Sequence, residues 1–330
     1  MRSMICSIGF ALTAALSTAS GQLTIQDQFL LGGDPAAGQY IAGSPLHGQA
    51  PTGGTLTGFH GPWDAPVSPD DYRGTAYADP GSLAYQVGPE HLATDGGKFR
   101  WHRTHASGGD KYAWRGVGTG SARDDWWASI LVQTTEQSHY GTVLIDFAGG
   151  GTLEFGLATH GFPLIAERQP GDPQLITGQA HLLVAHLFID PVLGQTVELW
   201  ADPVPLRANL DGSPPTPPLT SGAAGHSIIS GPDTITNVNL RMHTYAGYEM
   251  FYDELRVGGS WNDVVPVEVE PGCNGADIAL PLGVLDLNDI GEFVAAFTSG
   301  HPVADLAAPV GVLDLADIAG FIDAFLAGCP

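Results

Sequence analysis

The chain has 330 residues and carries 12 Lys and Arg against 35 Asp and Glu, a formal net charge of −23. That balance excludes nucleic acid or an anionic membrane surface as a partner, because phosphate recognition needs clustered Lys and Arg. Hydrophobic residues make up 43% of the chain, enough for a packed core, while 45 Gly and 25 Pro stay below the composition of disordered chains and point to turn-rich β structure.

At the start of the chain, Arg2 precedes an apolar run from Ile5 to Leu16, and the small residues Ser17, Thr18, Ala19, Ser20 and Gly21 follow it. This is the pattern of a signal peptide over residues 1–21. The mature protein is expected to begin near Gln22 and to be secreted, extracellular or at the cell surface. No later stretch reaches the roughly 18 apolar residues that a membrane span needs. With Cys6 removed, only Cys273 and Cys329 remain, and a disulfide between them is expected in an oxidising compartment.

From residue 22 to 262 the sequence reads as a β-sandwich. Trp126 to Val132, Thr142 to Phe147, His181 to Ile189, Thr196 to Trp200 and Met250 to Val257 are short, rich in β-branched and aromatic residues, and separated by Gly, Pro, Asn and Asp. Strands at this spacing predict a two-sheet jelly roll. The stretch from Leu206 to Gly225, with Pro214, Pro215, Pro217 and Pro218, is expected to be a surface loop.

Six of the twelve basic residues fall between Lys98 and Arg123, interleaved with Trp101, Tyr112 and Trp114. Aromatic faces stack on sugar rings and guanidinium groups pair with carboxylate or sulfate. Trp101, Arg103, Tyr112, Trp114 and Arg115 are therefore candidate residues for binding a polysaccharide, in particular an acidic or sulfated one. The competing reading has the tryptophans filling the core and the arginines offsetting nearby acids. His102 and His105 have metal-like spacing but no adjacent Cys or carboxylate, so a turn or surface position is expected. No strand carries an alternating pair of carboxylates of the kind a glycoside hydrolase uses; Asp253 and Glu254 are adjacent, and Glu249 and Asp253 would stand about 13 Å apart on a continuous strand. No catalytic residue is assigned.

The run Thr177 to Asp190 followed by Gln195 to Pro203, and later Phe251 to Gly258 with Trp261, resembles the central hairpin and closing strand of concanavalin A-like, laminin G-like domains in exported bacterial proteins. The resemblance implies a jelly-roll fold. It leaves open a carbohydrate-binding or surface-structural role, with an extracellular glycoside hydrolase or polysaccharide lyase as the alternative.

Residues 263–272 read as a short Pro- and Glu-containing linker, and residues 273–330 as a separate module. There Ala276 to Ile290 recurs 28 residues later, so Asp277, Asp286 and Asp289 correspond to Asp305, Asp314 and Asp317. Each copy is followed by apolar residues at i, i+3, i+4 and i+7, namely Ile290, Phe293, Val294 and Phe297, then Ile318, Phe321, Ile322 and Phe325. These predict two amphipathic helices. The paired loop-helix unit resembles a dockerin, a module of two half EF-hands, and its Cys-bracketed ending Ala327-Gly328-Cys329-Pro330 is similar to dockerin-type endings of planctomycete-like exported proteins. The resemblance implies calcium at the six aspartates and a cohesin-like or cell-surface receptor as partner. The loops depart from the EF pattern, which places oxygen ligands at positions 1, 3, 5, 9 and 12: counted from Asp277, positions 3 and 5 are Ala279 and Pro281. Helix capping by Asp286, Asp289, Asp314 and Asp317 is the alternative to metal binding.

Overall fold

The structure is a computed structural model. It describes residues 25–329 except 28, 30, 32, 35, 37–38, 51–58, 65–74, 88–89, 95, 103–109, 118–121, 136–139, 158–162, 166–175, 210–211, 224–227, 244–248, 270–272, 280–282, 301 and 309–311. The expected signal peptide, Arg103 and His105 lie outside the described residues.

The strands, in chain order, begin with β1 Ile25–Asp27, β2 Phe59–Asp64, β3 Thr75–Pro80, β4 Gln86–Val87, β5 Glu90–Leu92 and β6 Gly97–His102. They continue with β7 Asp110–Val117, β8 Asp125–Thr134, β9 Tyr140–Phe147, β10 Thr152–Leu157, β11 Pro163–Ile165 and β12 His181–Asp190. The last are β13 Gly194–Ala201, β14 Thr220–Ala223, β15 Ile235–His243, β16 Glu249–Gly258 and β17 Val267–Val269. Three helices follow the sandwich strands: α1 Trp261–Val264, α2 Leu287–Ser299 and α3 Leu315–Ala327.

The protein is mainly β, a two-sheet sandwich followed by a small helical part. One sheet has the order β14-β13-β12-β8-β16-β6-β3, with β1 paired to the second half of β16. The other has the order β11-β10-β9-β15-β7-β2. Non-sequential neighbours such as β8 and β16 mark the crossed connections of a jelly roll, and the strand pairs are antiparallel. The core between the sheets holds Phe29, Trp63, Phe99, Trp101, Trp126, Ile145, Phe155, Leu183, Leu240 and Tyr252.

The eight-stranded sheet is also covered on its other face. A second apolar cluster joins Trp127, Leu131, Leu182, Val184 and Trp200 of that sheet to Leu92, Leu206, Trp261, Val264 and Val265. Trp127, Trp200 and Trp261 form its centre, with ring centroids 5.4 to 5.9 Å apart. This explains why β8 and β12 read as almost unbroken apolar runs rather than as alternating strands. The covering layer consists of α1, the three-stranded sheet β17-β5-β4 and the proline-containing stretch after β13.

One expectation is corrected here and one extended. The segment read as a linker from 263 is built into the covering layer: Val264 and Val265 are buried, and β17 pairs with β5. The proline-rich stretch runs along the surface, with residues 207–209 and 212–219 outside any strand and half-buried or exposed, but it also serves as cover: Leu206 is buried, its carbonyl accepts the Trp261 indole hydrogen at 2.8 Å, and Thr216 accepts that of Trp200 at 2.9 Å. Its end, β14, adds an edge strand to β13. The physical reason is that three large indoles on the sheet's outer face need apolar cover and acceptors for their N–H groups.

In the C-terminal part, α2 and α3 pack around Ala276, Phe293, Ala296, Ala304 and Phe321, with Phe293 stacked on Phe321 at 4.1 Å. Cys273 is joined to Cys329 with their Cα atoms 5.2 Å apart. A loop of this size constrained by a disulfide stabilises the folded state by about 4 kcal/mol in the chain-entropy account.

Candidate functional site

Strand β7 separates the aromatic and basic residues that its sequence interleaves. Because successive side chains point to opposite faces, Ala113 and Arg115 face the core, whereas Tyr112 and Trp114 face outward and are 43% and 44% exposed. On the strands beside it the same alternation sends Val143, Ile145, Leu153, Phe155, Val238, Leu240 and Met242 inward. Thr142, Asp146, Glu154, Asn239 and Arg241 occupy the opposite face.

The register brings these groups together. Arg241 lies opposite both Tyr112 and Thr142, and Asn239 lies opposite both Trp114 and Leu144. Leu144 in turn faces Glu154, and Asp146 faces Thr152. The Arg241 guanidinium lies 5.5 Å from the Tyr112 ring centroid and donates to Glu154 Oε1 at 2.8 Å. Thr142 donates to the same carboxylate at 2.6 Å. Asp146 accepts from Thr152 at 2.7 Å and from Asn239 at 2.8 Å. The result is a sheet face with two half-exposed aromatic rings beside a fixed set of hydrogen-bonding groups. A pyranose has the matching character, with an apolar ring face and an edge of hydroxyls.

The other sequence candidates are elsewhere. Trp101 is fully buried and packs edge-on against Phe99 at 5.5 Å, so it is a core residue. Arg115 is also fully buried: its guanidinium donates to the Tyr40 hydroxyl at 3.2 Å and lies 3.9 Å from Asp27, while Tyr40 donates to Asp27 and accepts from Trp63 Nε1. Burial raises the Asp27 pKa to about 6, against the opposing pull of Arg115, Tyr40 and the Phe29 amide. Neither Trp101 nor Arg115 can reach a ligand. The remaining bases are dispersed: Arg100 pairs with Asp79 and Glu249, and Arg123 lies over Trp126. The described basic residues therefore do not form one patch for an acidic polymer. His102 sits at the end of β6 with Nδ1 3.1 Å from Glu249.

The signal for the missed residues was present in the chain. Thr142, Leu144 and Asp146, then Thr152 and Glu154, then Asn237, Asn239 and Arg241 alternate with apolar residues at period two, which marks them as one outward row per strand. Asp253 and Glu254, in contrast, do not point to opposite faces. The pairing of β16 with β8 shifts between Asp253 and Arg256, Glu254 adopts φ 52°, and both acids are buried. Asp253 accepts from Ser82 Oγ at 2.6 Å and Leu83 N at 2.7 Å, and Glu254 pairs with Arg256. Burial, together with the neighbouring Glu254, pushes the Asp253 carboxyl well above the usual range.

In the C-terminal part the aspartates serve backbone amides. Asp286 and Asp314 are the N-caps of α2 and α3, and with Asp289 and Asp317 they complete two capping boxes. Asp289 accepts from the amides of Ile278, Ala279 and Asp286, and Asp317 accepts from those of Leu306, Ala307 and Asp314, at 2.8 to 2.9 Å. These bonds hold the Asp317 carboxyl below its ordinary pKa. Asp277 receives the amides of Cys273 and Gly283, and its other oxygen is buried with no hydrogen-bond partner among the described residues. The three carboxylates of a repeat do not converge. Among the described residues, the three-residue cluster of ligand atoms within 4.8 Å is Cys273, Asp277 and Cys329, and two of these form the disulfide. Among the described residues the aspartate side chains alone do not assemble a calcium cage.

No family model and no curated protein matches this chain. Among solved structures, an endo-β-1,4-glucuronan lyase from the fungus Trichoderma reesei is 11% identical, with a TM-score of 0.36, covering 62% of this chain and 97% of that one. The globular domain of T. cruzi calreticulin is 12% identical, with a TM-score of 0.38, covering 60% of this chain and 84% of that one. A Bacillus licheniformis β-glucanase is 7% identical, with a TM-score of 0.32, covering 66% and 99%. Likenesses of this order assign no activity to the chain.

Proposed function

We propose that this is an exported, non-catalytic carbohydrate-binding protein whose glycan site is the outward face of the six-stranded sheet. The observation that supports it is the pair Tyr112 and Trp114, half-exposed on one strand of a face that also carries Asn239, Arg241, Glu154 and Asp146. Two residues apart on a strand, the two positions lie about 6.8 Å from each other along the chain, on one face. The face carries Asp146 and Glu154 against Arg241, whose charge Glu154 already meets, so a neutral polysaccharide suits it better than an acidic one. The expected test is retention of the mature protein on immobilised neutral β-glucan or xylan. Trp114→Ala should weaken retention at least tenfold while lowering the melting temperature by no more than about 4 °C, and unaltered retention would refute the site.

A second reading has one observation behind it. Asp146 lies opposite Thr152, two residues from Glu154, and such diagonal neighbours stand about 7–8 Å apart. Inverting glycosidases hold their carboxyl pair about 6.5–9.5 Å apart. New reducing ends from the same polysaccharides, abolished by Asp146→Asn or Glu154→Gln, would replace the binding reading with an enzymatic one.

In this proposal the C-terminal helices attach the protein to a partner. An apolar groove of 390 Å³ runs between α2 and α3, lined by Ile290, Val294, Phe297, Ile318, Ile322 and Phe325 among others. From Val257 to the end there are 11 Asp and Glu and no Lys or Arg. The fitting partner is a protein, cohesin-like or on the cell surface, that presents an apolar ridge flanked by Lys and Arg. Among the described residues no helix is long and apolar enough to cross a membrane.

A further inference from the structure

The covering layer on the eight-stranded sheet stops short of one corner. A cleft of 610 Å³ opens there, lined by Lys98 of β6, Gln133 of β8, Tyr85, Gln86, His181 and Asp202 among others. Its volume lies within the range of small-ligand pockets, about 300–1,000 Å³.

The acidic group in this cleft is already engaged. Asp202 accepts from His181 Nδ1 at 2.6 Å, from the Leu182 amide at 3.0 Å and from the Tyr85 hydroxyl. His181 Nε2 faces the Ile176 carbonyl at 2.8 Å. A carbonyl and a carboxylate both accept, so this geometry favours the doubly protonated ring, whose charge offsets that of Asp202. Asp202 also adopts φ 48°, in the left-handed region, which directs its carboxylate back to the start of β12.

Lys98 is the cation of the cleft that Asp202 does not meet. Its cross-strand neighbour Asp79 is engaged by Arg100. Among the described residues no carboxylate lies within 4.0 Å of the Lys98 ammonium, which stands 5.2 Å from the centroid of the Phe251 ring. In a chain of net charge −23, this is a locally positive cleft surrounded by amide and hydroxyl side chains. Gln133 turns its amide nitrogen to the Gly178 carbonyl at 2.5 Å, which fixes the side chain in place.

We propose that this cleft binds an acidic sugar, a uronate residue whose carboxylate meets Lys98 and whose hydroxyls meet Gln133, Gln86 and Gln179. A single ammonium suits a singly charged carboxylate. A phosphate would call for bidentate guanidinium or a nest of backbone amides, and a bare small anion would leave most of the cleft and its amides unused. The site lies on a different sheet from Tyr112 and Trp114, so it stands or falls independently of the neutral-glycan face.

The test uses the mature chain with three probes, a glucuronic acid trisaccharide, the matching glucose trisaccharide and inorganic sulfate, followed by calorimetric titration. The uronate is expected to bind and the neutral sugar and sulfate to be at least tenfold weaker. Lys98→Gln should weaken uronate binding at least tenfold, Lys98→Arg should retain most of it, and Trp114→Ala should leave it unchanged. Binding equal in the parent and Lys98→Gln, equal affinity for sulfate, or loss in Trp114→Ala would each overturn the proposal. So would the absence of any uronate binding by a parent protein that melts cooperatively.

Discussion

The two sheets of the sandwich share a core but differ on their other faces. The eight-stranded sheet is capped by Trp261, Val264, Leu206 and β17, and its outward residues mostly serve packing. The six-stranded sheet keeps Tyr112 and Trp114 at its surface, and its outward polar residues bond to one another across strands. The contrast shows that a tryptophan on an outward strand position has no fixed meaning. Trp127 and Trp114 occupy equivalent kinds of position, and what covers them decides whether they hold the fold together or stay free for a ligand.

The sharpest way to break this comparison is to remove a tryptophan from each side. Trp261→Ala takes a fully buried indole out of the covering layer and should cost about 3–5 kcal/mol of stability, read as a lower midpoint in urea. Trp114→Ala should change stability by less than about 1 kcal/mol while weakening glycan retention tenfold, equivalent to about 1.4 kcal/mol. Equal destabilisation by both would mean that the six-stranded sheet is also covered.

Smaller effects test the polar devices. Replacing the N-caps by Asp286→Ala or Asp314→Ala should cost about 1 kcal/mol each, and excess chelator should leave the far-ultraviolet helical signal unchanged. A signal that falls on chelation would show that the aspartates hold a metal as well as the helix ends. The smallest effect concerns His181. Burial works against its charged form, but the bonds to Asp202 and Ile176 and the charge of Asp202 outweigh it and raise its pKa above 6.5. A raised folded pKa stabilises fully below the unfolded value and is lost as pH rises through the folded one. The melting temperature of the parent should therefore exceed that of His181→Gln most clearly below pH 6.5, and the gap should narrow above it. A pH-independent gap would refute the charged pair.

The strand positions and the two amphipathic helices were legible because apolar periodicity is a local property. The sidedness of the candidate site was only half legible. In β7, Ala113 and Val117 mark the inner face, yet Arg115 shares it, because its partner Asp27 lies at the far end of the chain and no local pattern announces a buried ion pair. Trp101 failed for the same reason, since its cross-strand neighbours Ala76 and Met250, which belong to the same core, come from separate parts of the sequence. The segment from 263 looked like a linker because Pro266, Glu268, Glu270 and Pro271 interrupt its four valines. Its pairing with β5 depends on a strand more than 170 residues earlier.

The Cys273 to Cys329 bond has a mechanical meaning. It closes the helical part into a covalent ring whose entry and exit lie 5.2 Å apart. If a partner grips the groove between α2 and α3 while drag acts on the sandwich, the pull enters that ring at Cys273 alone. The tether then cannot lengthen by paying out the residues of the ring end to end, and the helical part behaves as a shackle rather than as a spring.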